Sequence, residues 1–505
     1  MRANQRRLLN PKASGEVNFS ESNPTPDASS DDSQQRLINL TALKEAGLKP
    51  FGGPFTASGT LKEIRDRFQE GLAVRMAGRM LAIRDMGKSL FADLRGGNER
   101  FQIFAGKSQT GDYDLFKKLD TGDYIGVEGE LFTTRAGEKT VRVHKWTLLA
   151  KSLRPMPEKW HGLKDVEIRY RQRYLDLIAN PKVRDLFDLR FRIVREIRNF
   201  FWELGFIEVE TPMMQPQAGG AVARPFKTHY TALNADMFLR IAPELYLKRL
   251  LVGGFEKIFE LNRNFRNEGL SRNHNPEFTM LEAYQAYSDR RGMQAIVQDL
   301  ICAVAQKVFG TLQVGSAEHG INLAPPWPEK TYRELIAEKM GADWYGLPVE
   351  KARDKAAQCG LSIDPAWNHA QITHEIYEKL IERTLINPVF VTRLPRELVP
   401  LAKTCDDNPS EVDVFELVID GKEIAPGYSE LNDPAEQRAR LQGQSGDDLP
   451  GNDEDFLLAL EHGMPPAGGM GMGIDRLVMV LTGAESIREV ILFPQLRQKT
   501  DTQST

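Results

Sequence analysis

The sequence predicts an α+β chain, in which a small five-stranded barrel precedes a larger antiparallel sheet flanked by helices. Three features carry this expectation. Between residues 72 and 149, five short segments of alternating apolar and polar residues are separated by glycine-rich turns. A proline-containing stretch, LRPMPEKWHG at 153–162, then breaks the periodicity. Beyond it, strand-like runs mix with long amphipathic helices, and neighbouring strands are joined by tight turns. At 505 residues the chain is too long for one ordinary core, so two or three domains are expected.

In chain order, residues 1–35 are rich in Ser, Asn, Asp and Pro and read as a disordered tail. Residues 36–71 hold two short helices. The first, RLINLTALKEA at 36–46, is closed by Gly47, and the second covers 61–70. The segments AVRMAGRMLAIRD, SLFADLRG, RFQIFAG, DYIGVEGELF and TVRVHKWTLL are strands, with a helix, YDLFKKLD, after the third. That order is the order of an OB barrel, here over 72–150. Such barrels bind single-stranded RNA by stacking bases on aromatics beside basic groups. Arg79, Phe91, Gln102 and Phe104 are candidates for this role on the first three strands. Ordinary strand packing accounts for each of them equally well.

A linker at 151–162 leads to a second domain over 163–497, and 498–505 form a C-terminal tail. The helix at 184–204 aligns Ile193, Ile197, Phe200, Phe201 and Leu204 on one stripe. Gly205 ends it, and the strand FIEVET and Pro212 follow. Further strands are expected at 238–241, 256–261, 277–283, 388–393, 412–419 and 468–474. Helices are expected at 290–309, 331–340, 371–384 and 475–482.

Composition is that of a soluble globular protein. No apolar run reaches the roughly 18 residues of a membrane span. The start, MRANQRRLLNPKASGE, is basic but has no apolar stretch, which argues against a secretory signal. Cys302, Cys359 and Cys405 have no metal-ligand spacing and are odd in number. Buried, reduced thiols of a cytoplasmic protein are expected. Net charge is −4, but residues 62–150 carry +3 and residues 151–200 carry +6, leaving −13 elsewhere. A basic front on an acidic body suits an RNA partner.

The chemistry concentrates in three places. FRNEG at 265–269, followed by HNPEF at 274–278, sets an arginine, an acid, a histidine and an aromatic close together. Arg266 offers a planar fork of donors to a phosphate. In GMGMGIDR at 469–476 the alternate glycines leave one strand face bare for a flat base, with Arg476 over it. The run VDVFELVIDGKEIAPGY reads as a hairpin turning at Asp420-Gly421. Its register opposes Val418 to Glu423 and sets Glu416 diagonally from Glu423, roughly 7–8 Å away. Two such carboxylates repel unless a cation lies between them, and Mg²⁺ held by carboxylates and phosphates is the usual one. Finally, Glu282 and Tyr284 share a strand face, and Glu244 and Glu430 are further acids. No cation is seen at these positions.

The first two motifs resemble motifs 2 and 3 of the class II aminoacyl-tRNA synthetases, and the 184–212 unit resembles motif 1, their dimer-interface motif. FRNEG…HNPEF and LRIAPELYLKRL at 239–250 are most similar to bacterial lysyl-tRNA synthetases. The resemblance implies a cytoplasmic homodimer without a membrane anchor. It would join L-lysine and ATP into lysyl-adenylate and transfer lysyl to the 3′ end of tRNA(Lys). It also implies roles. Arg266 bridges the α-phosphate and the substrate carboxylate, Glu268 accepts from the adenine amino group, and His274 and Asn275 contact the phosphates. Phe278 stacks under adenine, and Arg476 covers its other face and the γ-phosphate. Glu416 and Glu423 ligate Mg²⁺. Glu244 takes the α-amino group, Glu282 and Glu430 the side-chain ammonium, with Tyr284 and Tyr428 beside them. Gly220 lies in a loop that closes over lysine. The barrel, with its four candidates, reads the anticodon. Many members carry Asn where this chain has Pro426 and Phe where it has Tyr428, so an amide contact to the substrate must be lost or replaced. The alternatives are an aspartyl or asparaginyl ligase, a ligase that lysylates a protein, which would lack the barrel, and an inactive RNA-binding paralogue, which would lack some of Arg266, Arg476, Glu416 and Glu423.

Overall fold

The computed structural model describes residues 30–156, 163–221, 223–315, 320–443 and 453–497. The tails at 1–29 and 498–505 and the linker residues 157–162 lie outside them. The chain divides into two compact units, residues 1–161 and 162–505.

In the first unit, strands β1 (Ala73–Asp85), β2 (Ser89–Gly96), β3 (Glu99–Gly106), β4 (Tyr124–Thr133) and β5 (Lys139–Ala150) close a barrel in the order β1-β2-β3-β5-β4. Alternation along each strand sends one row inward: Met76, Leu94, Phe101, Ile103 and Val127 are fully or almost fully buried. Helix α1 (Ser30–Glu45) begins six residues before the predicted start, with Asp31 and Asp32 in its first turn, where acids suit the positive end of the helix dipole. It is tied to the barrel by Leu43 in the core and by Arg36, which donates to Thr121 O at 2.8 Å. Helix α2 (Leu61–Asp66) is started by a Thr60–Glu63 capping box and stops four residues short of its predicted end. Helix α3 (Tyr113–Phe116) buries Tyr113 and Phe116 in the same core.

The second unit is built on an eight-stranded sheet. Its strands are β6 (Ile207–Glu208), β7 (Lys257–Phe265), β8 (Glu277–Ala286), β9 (Glu329–Thr331), β10 (Val389–Thr392), β11 (Val414–Ile419), β12 (Lys422–Ser429) and β13 (Ala467–Gly473). Their spatial order is β9-β10-β11-β12-β13-β8-β7-β6. The interior pairs are antiparallel, as expected, but both edge pairs, β9/β10 and β6/β7, are parallel. Helices α4 (Pro181–Glu203), α6 (Arg290–Phe309) and α8 (Ile474–Thr482) cover one side, sharing a core of Ile193, Ile197, Phe201, Phe259, Leu281, Val297 and Leu477. Helix α5 (Glu244–Val252) packs through Leu245 and Leu251 against Ile258 and Tyr284. Among the described residues no helix is long and apolar enough to cross a membrane.

Several local expectations need correction. FIEVET is a strand only at Ile207–Glu208. The strand placed at 238–241 is Ala235–Leu239 and belongs to a separate three-stranded sheet. Leu204 is 40% exposed rather than part of the buried stripe of α4. The single helix expected at 371–384 is α7 (His369–Ile376), then a π-helical turn (Tyr377–Ile381) and a 3₁₀ turn (Glu382–Thr384). The β11–β12 hairpin keeps Val418 opposite Glu423, but a bulge then sets Glu416 opposite Pro426. The diagonal Glu416–Glu423 register therefore does not hold, because the extra residue shifts the ladder by one. All three cysteines are free, and Cys359 is exposed rather than buried.

Candidate active site

A cavity of about 740 Å³ opens over β8, β12 and β13. Arg266, Glu268, His274, Asn275, Phe278, Glu416, Glu423 and Arg476 line it together with Gly220, Glu244 and Tyr428. The phosphate-type motif is held at the β7–β8 turn. Phe265 pairs with Glu277, and the Arg266 amide donates to Pro276 O at 2.8 Å, which closes the loop between them. The Arg266 guanidinium sits 5.2 Å from the centre of the Phe278 ring. Its Nε is buried without a hydrogen-bond partner among the described residues. Burial lowers its pKa from the usual value, against the pull of Glu423 and Glu268.

Across the cavity, Arg476 Nη1 donates to Glu423 O at 2.9 Å, and Nη2 lies 2.9 Å from His274 Nε2. Burial and the Arg476 charge pull the His274 pKa down, so the ring is neutral. Nε2 then accepts from Arg476, and Nδ1–H donates to Ser271 Oγ at 2.8 Å. Asn275 spends its side-chain amide on the loop itself: Nδ2 donates to Glu277 O at 2.5 Å, and Oδ1 accepts from Gln495 N at 3.2 Å. Glu268 is exposed at the rim.

Glu416 and Glu423 meet two acids that sequence reasoning missed, Glu378 and Glu382, which also line the cavity. Glu382 Oε1 accepts from the Glu423 amide at 2.9 Å. Its carboxyl is pushed up to about 7 by burial and by the charge of Glu423. Glu416 is raised well above the usual range, by burial first and then by Glu423 and Glu382. These acids come from the π and 3₁₀ turns, which helical periodicity does not reveal. Among the described residues, no group of three or more potential ligands is already gathered around one metal position. The donors are hard carboxylate oxygens whose mutual repulsion favours a divalent cation. They fit Mg²⁺ that completes its shell with phosphate and water.

The acidic pocket lies at the other end. Tyr428, Gly469 and Tyr284 form one row across β12, β13 and β8, and Gly471 and Glu282 stand in the next. The alternate glycines are not bare. A Cβ on Gly469 would fall 1.9 Å from Glu430 Oε1 and 2.5 Å from the Tyr284 ring, and one on Gly471 would fall 2.6 Å from Met280 Cε. Only at Gly473 is the space above the strand bounded by Arg476, at 3.8 Å. Gly469 thus makes room for an acidic and an aromatic side chain of the protein, so the face is not bare there, while at Gly473 it stays open beside Arg476.

Glu244 and Tyr428 line the cavity, whereas Glu282, Tyr284 and Glu430 are buried beyond its wall. Tyr284 OH donates to Glu282 Oε2 at 3.0 Å, and Tyr428 OH donates to Glu244 Oε1 at 2.6 Å. Glu282 is pushed up to about 8 by burial, with Glu244 adding to the effect. Gly220 adopts φ +86° with Glu244 Cβ 3.2 Å from where its own Cβ would stand, so a side chain there would be both strained and crowded. The pocket also contains a cation that sequence reasoning missed. Lys248 is wholly buried, with Nζ 2.9 Å from Glu244 Oε1 and 2.5 Å from Glu430 Oε2. Its i,i+4 spacing from Glu244 in ELYLK was the available signal.

The barrel gathers its four candidates on one outer face. Phe91 opposes Phe104, with ring centres 5.0 Å apart, and Gln102 opposes Asp93. Arg79 lies 4.4 Å from the Tyr124 ring centre, its Nη2 donating to Tyr124 OH at 3.1 Å. Thr140 Oγ1 donates to Gln102 Oε1 at 2.9 Å. Phe132 extends the aromatic row at 6.1 Å from Phe104, with Arg142 4.6 Å over its ring. Neither Phe132 nor Arg142 was singled out from the sequence, because the parallel β3–β5 pairing that sets Arg142 opposite Phe104 joins strands distant in the chain.

Known proteins match both parts of the chain. Residues 165–497 match the family model described as tRNA synthetases class II (D, K and N), and 74–149 match the OB-fold nucleic acid binding domain. The lysine–tRNA ligase of Moorella thermoacetica is 52% identical over 475 residues, covering 92% of this chain and 97% of that protein. The lysine–tRNA ligases of Carboxydothermus hydrogenoformans and Magnetococcus marinus are 52% and 46% identical, each over 92% of this chain and 97% and 96% of their own lengths. With its OB barrel, its class II sheet and these relatives, the chain belongs to the lysine–tRNA ligase family of class II tRNA synthetases.

Proposed function

We propose that the chain activates L-lysine with ATP to lysyl-adenylate and transfers lysyl to the 3′ end of tRNA(Lys). The observation that carries this is the joining, around one cavity, of an arginine-lined end to an end backed by the buried acids Glu244, Glu282 and Glu430. An ammonium side chain is the group that such acids select. An aspartyl or asparaginyl substrate would meet net negative charge there despite Lys248. ATP–pyrophosphate exchange with each standard amino acid tests the proposal. Lysine alone should support strong exchange, and equal exchange with aspartate or asparagine would reject it.

In this reading Arg266 lies between the lysine carboxylate and the α-phosphate and holds them in line for attack. Arg476 offsets charge on the departing pyrophosphate, and neutral His274 keeps Arg476 aimed. Phe278 stacks adenine, Glu268 accepts from its amino group at the rim, and Asn275 braces the loop beside the phosphates. Bound Mg²⁺ would neutralise phosphate charge, held by Glu416 and Glu423. Glu423→Gln and Glu416→Gln should each slow adenylate formation and raise the Mg²⁺ requirement by about tenfold. A metal titration of exchange in the double variant that matches the unmodified protein would remove the assignment.

Glu244 takes the α-amino group, its orientation set by Tyr428. Glu282, Tyr284 and Glu430 take the side-chain ammonium, and the loop at Gly220 closes above. A Glu282 carboxyl raised to about 8 is protonated at neutral pH and must ionise to pair with an ammonium. Lysine binding should therefore tighten as pH rises from 6.5 toward 8.5, with release of a proton. Glu282→Gln should weaken binding by about 1.5–3 kcal/mol and flatten that dependence. Lysine KM against pH in both proteins checks it, and parallel profiles would refute the role of Glu282.

The barrel reads the anticodon through the face bearing Arg79, Phe91, Gln102 and Phe104. Phe104→Ala should cost about 1–3 kcal/mol in tRNA binding while leaving ATP–pyrophosphate exchange untouched. An unaltered KM for tRNA would move the reader elsewhere. The exposed apolar groups Phe191, Trp202, Ile207 and Met214, on and after α4, form the dimer face. The enzyme works in the cytoplasm.

A further inference from the structure

The mechanism above makes no use of Lys248, a buried titratable group that touches two of the pocket's acids. Its ammonium donates to Leu401 O at 3.3 Å and forms ion pairs with Glu244 Oε1 at 2.9 Å and Glu430 Oε2 at 2.5 Å. The Tyr428 ring, centred 5.6 Å away, adds its π face. Lys248 is fully buried, so its charge persists only because two carboxylates share it. Both of these acids belong to the pocket assigned to the substrate.

The pairing leaves Glu430 with one oxygen still to serve. Both Glu430 oxygens are buried without a hydrogen bond among the described residues: Oε2 meets Lys248 as an ion pair, and Oε1 points at Gly469, whose missing side chain gives it space. Glu244 is likewise half-committed: its Oε1 accepts from Tyr428 and is ion-paired with Lys248. Once all three acids are ionised, three carboxylates and one ammonium leave two negative charges. Free lysine brings two ammonium groups to this end, while its carboxylate belongs at Arg266. The count balances for lysine. An amino acid with a neutral side chain brings one ammonium fewer, so a buried acid either keeps its proton or is left unmatched.

We propose that Lys248 is a specificity-determining residue of the amino-acid pocket: a built-in ammonium that engages Glu430 through Oε2, leaves Oε1 for the substrate, and sets the pocket's charge to match one lysine. This rests on the reading of the pocket as the lysine site. Lys248 acts through Glu430 and touches no reacting atom. Burial pushes Glu430 up to about 8 even with Lys248 pulling it down; without that counter-cation it would hold its proton more firmly and be a poorer acceptor for the substrate ammonium.

The test is a cycle in the full-length protein with Lys248→Met, Glu430→Gln and the double variant. Lysine affinity is read by calorimetry and by KM in ATP–pyrophosphate exchange. Lys248→Met should weaken lysine at least tenfold while the ATP KM stays within twofold. Glu430→Gln should also weaken it at least tenfold. In the Glu430→Gln background, Lys248→Met should add less than threefold. Losses that multiply in full would overturn the proposal, as would tighter lysine binding by Lys248→Met. An unchanged affinity in Glu430→Gln would instead reject the pocket reading itself. Should Lys248→Met fail to fold, Glu430→Gln and the double variant still decide. Matching affinities support the proposal, and a further tenfold loss in the double variant refutes it.

Discussion

Replacing Arg266 with glutamine will cut lysine-dependent ATP–pyrophosphate exchange by about 10³-fold or more while the melting temperature stays close to that of the unmodified protein. The loss is large because both reactants are anionic and the attack joins a carboxylate to a phosphate. A planar guanidinium grips both at once, and an uncharged amide does not. The fold should survive because the side chain supports little of it. The loop is closed by the Arg266 backbone amide on Pro276 O, which the variant keeps. Among the described residues its Nε has no partner, and the guanidinium rests on the Phe278 ring. Arg266→Lys should fall between the two, since it restores charge without the fork. Exchange rates with thermal melts decide the matter. A loss below tenfold in folded Arg266→Gln would mean that another cation holds the reactants.

The parts of this molecule that were legible in its sequence are those with a short, repeating cause. Strand alternation across 73–150 reports burial directly, so the barrel and its strand limits follow from pattern alone. FRNEG and HNPEF lie on one loop between paired strands, so closeness in sequence is closeness in space. The hairpin turn was readable at Asp420-Gly421, yet the bulge beyond it was not, because an inserted residue leaves the local alternation ambiguous. Glu378 and Glu382 reach the cavity only because the helix widens into a π turn, which carries no periodic signature. Lys248 was hidden for a different reason. Its partner Glu430 lies 182 residues away, and the one local signal, the i,i+4 spacing from Glu244, does not by itself distinguish a buried lysine from an exposed one on an amphipathic helix.

The glycines of β13 give the second large effect, and they turn on the same distinction between local pattern and tertiary contact. Gly469→Ala should raise the KM for lysine by about 10²–10³-fold, whereas Gly473→Ala should change the KM for ATP by less than about tenfold. At Gly469 the new methyl would stand 1.9 Å from Glu430 Oε1 and 2.5 Å from the Tyr284 ring. Neither neighbour has an easy retreat. Tyr284 is hydrogen-bonded to Glu282, and Glu430 is held by Lys248, so moving either breaks a buried polar pair, at a cost of about 3–5 kcal/mol. At Gly473 the nearest atoms belong to Arg476 and lie 3.8 Å away, an ordinary contact. If the alternating glycines chiefly provided a flat bed for adenine, the order would reverse, and the residue beside Arg476 would be the sensitive one. Lysine and ATP KM values for the two variants therefore separate a strand that accommodates the nucleotide from one that accommodates the protein's own acids. The geometry requires Gly469→Ala to impair lysine binding and spare ATP.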